Sequence, residues 1–117
     1  MKSLSAALFS LLIVSESQAG LLTTSLKTES LKVNGVVSHE LGDKLVINGR
    51  DENKTPYKLT IESKPNQGNT AYFEYWLERN GKKESGRILQ LIGEKASLSV
   101  SENGQAPKLT FDVLYNQ

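Results

Sequence analysis

Residues 70–92 read TAYFEYWLERNGKKESGRILQLI, which is two runs of alternating apolar and polar residues around Asn80-Gly81. Asn-Gly is the strongest short-range signal for a β-hairpin, because both central residues of a type I′ turn need a positive φ. A two-residue turn also determines which residues face each other. The predicted opposed pairs are Glu78–Lys83, Trp76–Ser85, Glu74–Arg87, Tyr75–Gly86 and Phe73–Ile88. The segment therefore predicts a hairpin with one charged face and one apolar face, in which the Tyr75 ring covers the bare backbone of Gly86.

Two other Asn-Gly pairs, at residues 34–35 and 48–49, are less informative. A turn at residues 34–35 would separate two short candidate strands and is compatible with their apolar pattern. A turn at residues 48–49 would set a core candidate, Leu45, opposite the charged Glu52. We therefore interpret residues 48–56 as a long loop.

The fourth Asn-Gly pair, at residues 103–104, predicts a second hairpin that places Leu98 opposite Leu109 and keeps one face apolar. A turn at residues 93–94 would join the two hairpins into a C-terminal β-meander. The inward faces that the two hairpins require conflict along the strand that they share. We therefore expect a β-bulge or sharp twist within residues 86–89, or a longer turn at residues 93–94.

Turn-forming clusters separate the alternating runs along the rest of the chain. The candidate strands cover residues 21–26, 30–33, 36–41, 44–47, 57–62, 70–78, 87–92, 95–101 and 108–115. No apolar period of 3.6 residues persists for three turns after residue 20, so we expect no long helix there. The chain is predicted to be all-β, with an antiparallel β-sandwich or small barrel of about seven to nine short strands.

The first twenty residues have the pattern of a secretory signal peptide. Lys2 forms a minimal positive region, residues 4–14 are apolar apart from two serines, and small residues stand where a signal peptidase would recognise them. The apolar run is too short to span a bilayer. We predict a signal peptide at residues 1–19 and a single all-β domain at residues 20–117, with no membrane span in the mature chain.

The composition indicates the cellular compartment and the kind of partner. The chain has no cysteine, whereas small secreted domains of animals and plants usually carry disulfides, so we expect a bacterial protein secreted to the periplasm. Its formal net charge is +1 with both signs interspersed, which provides no electrostatic footprint for nucleic acid or an anionic membrane. We expect the partner to be another protein or a glycan, and not a nucleic acid.

Few residues indicate catalysis or metal binding. His39 is the only histidine, and without cysteine a zinc site would have at most one nitrogen ligand. A role for His39 with Asp43 as an acid–base pair would need a further partner, so we interpret His39 as a solvated side chain. Asp51 and Glu52 offer too few oxygens for calcium, so we interpret them as a solvated loop tip. We predict no catalytic residue, metal site or cofactor.

One group of side chains predicts a binding surface. In the register of the first hairpin, Tyr72, Glu74, Trp76 and Glu78 share the face that points away from the apolar side. An outward tyrosine and tryptophan between carboxylates would form a platform for a sugar or a peptide. The favoured interpretation of the segment is nevertheless a central strand with both faces partly covered, since aromatic residues in strands usually reflect packing, and the binding platform is the alternative to it.

These features favour a small non-enzymatic binding or accessory module that acts through its β-sheet surface. A first alternative is a subunit of a surface or secretion assembly, joined by strand addition through residues 108–115. A second alternative is a hydrolase with paired carboxylates in a β cleft. A central position of residues 108–115 in their sheet would argue against the first alternative, and a pocketless surface would argue against the second.

Overall fold

The structure is a computed structural model that describes residues 19–101, 104–105 and 107–117. These residues form eight antiparallel strands and no helix. The strands are β1 (Ala19–Thr28), β2 (Lys32–Glu40), β3 (Lys44–Arg50), β4 (Pro56–Pro65), β5 (Thr70–Arg79), β6 (Lys82–Leu91), β7 (Ala96–Val100) and β8 (Leu109–Asn116). The predicted all-β class is confirmed for this part of the chain. The predicted signal peptide, except its last residue, lies outside the described residues.

The eight strands build two four-stranded sheets that pack against each other. Sheet A has the strand order β2-β1-β8-β7, and sheet B has the order β3-β4-β5-β6. Of the two predicted architectures, the molecule therefore adopts the β-sandwich. The described part of the chain starts in sheet A, builds all of sheet B as consecutive hairpins, and returns to sheet A for its last two strands.

The core between the sheets follows from alternation, because successive side chains of a strand point to opposite faces. In β5 every second side chain from Ala71 to Leu77 is buried, and those between are half-buried. Rings from the two sheets meet at the centre, where the centroids of Tyr75 and Phe111 are 4.9 Å apart. Burial of each large side chain contributes roughly 1.5–3 kcal/mol to folding. The buried apolar residues are Leu22, Leu26, Leu31, Val33, Leu59, Ile61, Ala71, Phe73, Tyr75, Leu77, Leu109, Phe111, Val113 and Tyr115.

The hairpin predicted at Asn80-Gly81 is confirmed. The φ angles of Asn80 and Gly81 are 54° and 71°, as a type I′ turn requires. β5 and β6 pair in the predicted register along their whole length. Gly86 lies against the ring of Tyr75, and a Cβ atom at Gly86 would stand 2.6 Å from that ring. A side chain at this position would therefore displace a core aromatic residue.

Asn34-Gly35 lies inside a strand and not at a turn, which corrects the first of the two weaker predictions. The candidate strands on either side of it are one strand, β2, which pairs with β1 from Lys32 to Glu40 without interruption. The turn between β1 and β2 lies earlier, where the N–H of Thr28 donates to the carbonyl of Leu31 at 2.8 Å. The apolar pattern of residues 32–40 is therefore that of one long strand.

The predicted loop at residues 48–56 is also wrong in its extent. β3 continues through Asn48 and Gly49 to Arg50, and the loop that follows it is short. A Cβ atom at position 49 would lie 2.9 Å from the half-buried ring of Tyr57 on the neighbouring strand, so a side chain there would have to displace that ring. The glycine of this Asn-Gly pair therefore accommodates an aromatic ring and does not form a turn.

The predicted C-terminal meander is wrong, because the chain changes sheet between β6 and β7. β6 is fully described and pairs with β5 throughout, without the bulge expected at residues 86–89. Leu89 and Leu91 accordingly lie on the solvent side of sheet B, with 49% and 46% of their surfaces exposed. The two hairpins do not share a strand, because β6 belongs to sheet B and β7 to sheet A. The inward face of one hairpin therefore places no constraint on the inward face of the other.

A buried glutamine holds this crossover against sheet A. Gln90 is fully buried, and its Nε2 donates to the carbonyl oxygens of Glu94 at 2.8 Å and Tyr115 at 3.2 Å. The N–H of Gly93 donates to the same Tyr115 oxygen at 2.9 Å. The end of β6 is therefore tied to β8 in the opposite sheet.

The second hairpin forms with a longer loop than predicted. Leu98 pairs with Phe111 and Val100 pairs with Leu109, so the register is displaced by two residues from the prediction. A displacement of two preserves the faces, because the side-chain period of a strand is two. The apolar inward face was therefore predicted correctly, although its pairs were not. Asn103 of the predicted turn lies outside the described residues.

The strand at residues 108–115 does not offer a free edge. β8 lies inside sheet A, where it pairs with β1 on one side and with β7 on the other. Tyr115 lies past the end of the pairing with β7, and its carbonyl accepts hydrogen bonds from Gly93 and Gln90. Strand addition through this segment would first have to break native pairing, which argues against it.

Thr24 of β1 provides a test of the core. It is 3% exposed, and its Oγ1 has no hydrogen-bond partner among the described residues. Because a buried hydroxyl without a partner is unfavourable, we expect Thr24→Val to raise the free energy of unfolding by about 1 kcal/mol in urea titrations. The exposed neighbour provides the control, since Thr23→Val should change that free energy by less than about 0.5 kcal/mol. A destabilised Thr24→Val variant would contradict this account of the site.

Candidate functional site

The four residues of the predicted binding surface lie on one face of the central strand β5. Tyr72, Glu74, Trp76 and Glu78 alternate with the core residues, and each is half-buried. We call the side of sheet B that points away from sheet A the outer face of sheet B. The structure brings all four residues together on this face, between β4 and β6.

Trp76 occupies the middle of the outer face of sheet B. The register places Thr60 of β4 and Ser85 of β6 on either side of it, and Val46 of β3 one strand further away. Side chains this short do not extend over an indole ring. Trp76 therefore forms part of a flat surface and not the floor of a cleft.

Tyr72 carries a cation over its ring. The guanidinium carbon of Arg87, on the neighbouring strand β6, lies 5.0 Å from the centroid of the Tyr72 ring. At an exposed site such a contact stabilises by about 0.5–1 kcal/mol. The contact therefore favours an arrangement in which the Arg87 side chain lies over the Tyr72 ring.

Glu62 belongs to this face, and the sequence hypothesis missed it. It lies directly opposite Glu74, and Lys44 and Arg87 complete the row on the two outer strands. Like charges directly opposite each other are destabilising, and the flanking cations offset that repulsion. Alternation alone would have put Glu62 on one face of its strand. Its neighbour depends on the register of β4 against β5, which no two-residue turn specifies.

Apolar and cationic side chains surround the aromatic centre of this face. Val46, Leu89 and Leu91 expose 48%, 49% and 46% of their surfaces. Strand alternation and register assign six cations and three carboxylates to the same face: Lys44, Arg50, Lys58, Lys64, Lys83 and Arg87, with Glu62, Glu74 and Glu78. The face combines an apolar and aromatic middle with a predominantly cationic border.

His39 is buried at one end of the sandwich, where it is 4% exposed. The prediction of a solvated side chain is therefore wrong. Because β2 is one continuous strand, His39 shares its inward face with Val33 and Val37. Its Nε2 lies 2.7 Å from Oγ of Ser63 in the opposite sheet. The ring of Tyr115 packs edge-on against the imidazole, with centroids 5.9 Å apart. The prediction failed because it divided β2 at Asn34-Gly35 and so lost the alternation.

The contact between His39 and Ser63 is structural, since neither side chain is accessible to a substrate. Ser63 is fully buried, and its Oγ also accepts the N–H of Gly42 at 3.1 Å. Which of His39 Nε2 and Ser63 Oγ donates in their hydrogen bond depends on the tautomer of the imidazole. Burial lowers the pKa of His39 from 6.5, although the nearby charge of Asp43 acts in the opposite direction. The fold therefore accommodates the neutral imidazole.

The lowered pKa of His39 makes stability depend on pH near neutrality. Below about pH 6.5 His39 binds a proton more readily in the unfolded chain than in the folded chain. The contribution of the neutral His39 to folding stability is therefore complete above this pH and is lost as the pH falls. We expect the free energy of unfolding to fall between about pH 7 and pH 5, with a slope of at most about 1.4 kcal/mol per pH unit. Urea titrations across this range measure the slope.

Two variants separate the titration of His39 from its packing. His39→Gln should be less stable at neutral pH and should lose the slope, since the chain has no other histidine. Ser63→Ala should also lose stability but should keep the slope, because His39 stays buried. A His39→Gln variant with an unchanged slope would contradict the assignment.

Asp51 is likewise not part of a solvated loop tip. Its carboxylate forms an ion pair with Arg79 at 2.8 Å, and only 3% of its side chain is exposed. It also accepts the N–H groups of Asn53 and Thr55, both at 2.9 Å. Arg79 in turn donates to Oγ of Ser30 in the turn between β1 and β2 at 3.0 Å. The carboxylate is thus engaged in holding the β3–β4 loop and both sheets together.

Asp51 should stabilise the fold near neutral pH but not in acid. The hydrogen bond from Thr55, with further contributions from Asn53 and Arg79, lowers the pKa of Asp51 from 3.8, although burial opposes the shift. Because the pKa of Asp51 is lower in the folded chain than in the unfolded chain, its carboxylate stabilises the fold at pH values above the unfolded-chain pKa. This contribution is lost as the pH falls below that value. We expect Asp51→Asn to lower the urea midpoint at pH 7 and to approach the wild type at about pH 3. Glu52→Gln, at an exposed neighbour, should match the wild type at both values.

Comparisons with known proteins do not add to the description of the site. The chain matches no protein-family model, no curated protein and no solved structure. In the residues that the structure describes, no group of three or more histidine, aspartate or glutamate side chains is placed to hold a metal ion. This part of the chain also contains no helix long and apolar enough to cross a bilayer.

Proposed function

We propose that the protein is a small secreted binding module, without catalytic activity, whose binding surface is the outer face of sheet B. The observation that carries the proposal is the row of Tyr72, Glu74, Trp76 and Glu78 on the central strand, beside exposed apolar side chains. Tyrosine and tryptophan favour interfaces because each combines an apolar ring with a polar group. Apolar surface with a polar border is typical of interaction sites.

Shape and charge indicate the kind of partner. A flat sheet face suits an extended glycan or a flat patch of another protein better than a small molecule, which is usually bound in a concave site. The cationic border favours a partner with carboxylates or other anionic groups. Glu62 and Glu74 at the centre would accept hydrogen bonds from hydroxyl or N–H groups of that partner.

A hydrolytic function has less support from the same geometry. Two carboxylates act as acid and base when their surroundings separate their pKa values, which usually requires a site that excludes water. Glu62 and Glu74 stand side by side on an open face, between the cations Lys44 and Arg87. This arrangement suits contact with a partner better than bond cleavage.

Secretion to the bacterial periplasm is part of the proposal. It is supported by the signal-peptide pattern of residues 1–19 and by the absence of cysteine. The described strands begin at Ala19, so cleavage after that residue would leave the strand pairing almost complete. The N-terminal residue of the exported protein, read by mass spectrometry, tests this step.

A glycan partner can be tested through Trp76, which is the only tryptophan in the chain. We expect titration with oligosaccharides that carry uronate or sulfate groups to shift its fluorescence emission. Tyr72→Ala should weaken this binding by about tenfold or more, as expected for an aromatic residue at the centre of an interface. Leu21→Ser, at an exposed position on the solvent side of sheet A, should bind like the wild type.

A protein partner can be tested by cross-linking in periplasmic extract with Trp76→Ala and Leu21→Ser. A protein captured by the wild type and Leu21→Ser, and lost with Trp76→Ala, would support the assignment of the surface. Equal binding of any partner by all three proteins would show that the outer face of sheet B is not the binding surface.

A further inference from the structure

β2 is an edge strand of sheet A, and none of the described strands pairs with its long outer edge. It has nine residues, contains no proline, pairs with β1 without a bulge, and carries charges only at its ends, on Lys32 and Glu40. Proteins usually block such edges with charges, prolines, bulges or a covering segment, because unpaired N–H and C=O groups attract another strand. The edge is therefore a candidate interaction surface.

The β1–β2 ladder shows which backbone groups are free. The N–H of Thr28 donates to the carbonyl of Leu31, and hydrogen-bonded pairs alternate with non-hydrogen-bonded pairs along an antiparallel ladder. The residues of β2 whose N–H and C=O groups point away from β1 are Lys32, Asn34, Val36, Ser38 and Glu40. The carbonyl of Glu40 agrees with this pattern, since it accepts the N–H of Asp43 in the turn that follows.

We propose that β2 pairs antiparallel with β2 of a second copy of the chain, about a two-fold axis at Val36. Full overlap of the two strands places Val36 opposite the partner's Val36, Asn34 opposite the partner's Ser38, and Lys32 opposite the partner's Glu40. In the pairs of Val36 with the partner's Val36 and of Asn34 with the partner's Ser38, free backbone groups face each other, so each pair exchanges two hydrogen bonds. The carbonyl of Glu40 is engaged by the N–H of Asp43, so Glu40 contributes its N–H, which donates to the carbonyl of the partner's Lys32. The two copies of sheet A then form one continuous sheet.

The charged ends of β2 and its exposed central valine both favour this register. The two-fold axis repeats the contact between Lys32 and Glu40, so opposite charges meet at both ends of the interface. Val36, at the centre, has 62% of its surface exposed in the single chain. Its contact with the partner's Val36 removes apolar surface from water.

The glycine at position 35 is compatible with the proposed pairing. A glycine inside a strand weakens it, and often marks a place where another backbone approaches closely. Gly35 is not among the residues with positive φ, and a Cβ atom there would meet no other atom within 4 Å. The described chain therefore gives no reason for glycine at this position. In the proposed dimer the partner's Val37 lies opposite it.

The edge strands of sheet B, β3 and β6, are less suited to pairing with their own copies. On β3 the ladder leaves Lys44, Val46, Asn48 and Arg50 facing the free edge, and full overlap of two β3 strands would place Lys44 opposite the partner's Arg50. On β6 the register that uses all the free positions would place Arg87 opposite the partner's Arg87. Like charges directly opposite each other oppose pairing at both edges.

Sedimentation equilibrium of the protein expressed from its full sequence tests the proposal. We expect a monomer–dimer equilibrium, in which rising concentration slows hydrogen exchange of the N–H groups of Asn34, Val36 and Ser38. Val36→Pro should abolish the dimer without unfolding the chain, because the N–H that it removes points away from β1. Val46→Pro, at the corresponding position of β3, is the matched control and should leave the dimer intact.

A charge exchange tests the register and does not depend on proline. Glu40→Lys places Lys32 opposite a lysine at both ends, and should raise the dimer dissociation constant by about tenfold. The double variant Lys32→Glu with Glu40→Lys restores opposite charges in reversed order and should restore dimerisation.

Three outcomes would overturn the proposal. The first is a wild type that stays monomeric at every concentration at which it is soluble. The second is a dimer that persists in folded Val36→Pro or dissociates in folded Val46→Pro. The third is a double charge variant that associates no better than Glu40→Lys.

Discussion

Sheet A forms only because the two ends of the described chain pair with each other. β1, which begins at Ala19, lies along β8, which ends at Asn116, over eight opposed residue pairs. Sheet B needs only consecutive hairpins, whereas this closure joins segments that almost the whole chain separates, and its entropic cost is correspondingly larger. The approach is close, since a Cβ atom at Gly20 would stand 2.5 Å from the carbonyl oxygen of Asn116. Because the inner side chains of both strands are buried, the common core depends on this pairing.

Polar contacts align the two sheets at both ends of that core. At one end Arg79 joins Asp51 of sheet B's loop to the first turn of sheet A, and at the other His39 of sheet A meets Ser63 of sheet B. A buried hydrogen bond adds only about 1 kcal/mol net, but breaking it leaves a buried polar group without a partner. Apolar surfaces alone would permit one sheet to slide over the other. These pairs therefore specify the alignment more than they add to stability.

The two surfaces proposed to interact lie on different parts of the sandwich and do not compete. The outer face of sheet B carries the aromatic row, whereas the free edge of β2 belongs to sheet A. A two-fold axis normal to sheet A would place both copies of sheet B on the same side of the continuous sheet. Two binding faces held side by side would bind a repetitive partner, such as a glycan chain, with higher avidity than one.

The sequence by itself determined what depends on neighbours along the chain. Asn80-Gly81 specified the β5–β6 register, and alternation placed Tyr72 and Trp76 together on one face, because turn geometry and the strand period of two are local properties. Only the tertiary structure decided that β6 and β7 belong to different sheets, that His39 points into the core, and that Glu62 lies beside Glu74. Backbone hydrogen bonds are the same for every residue, so pairing between segments without a tight turn is selected by the packing of the whole core.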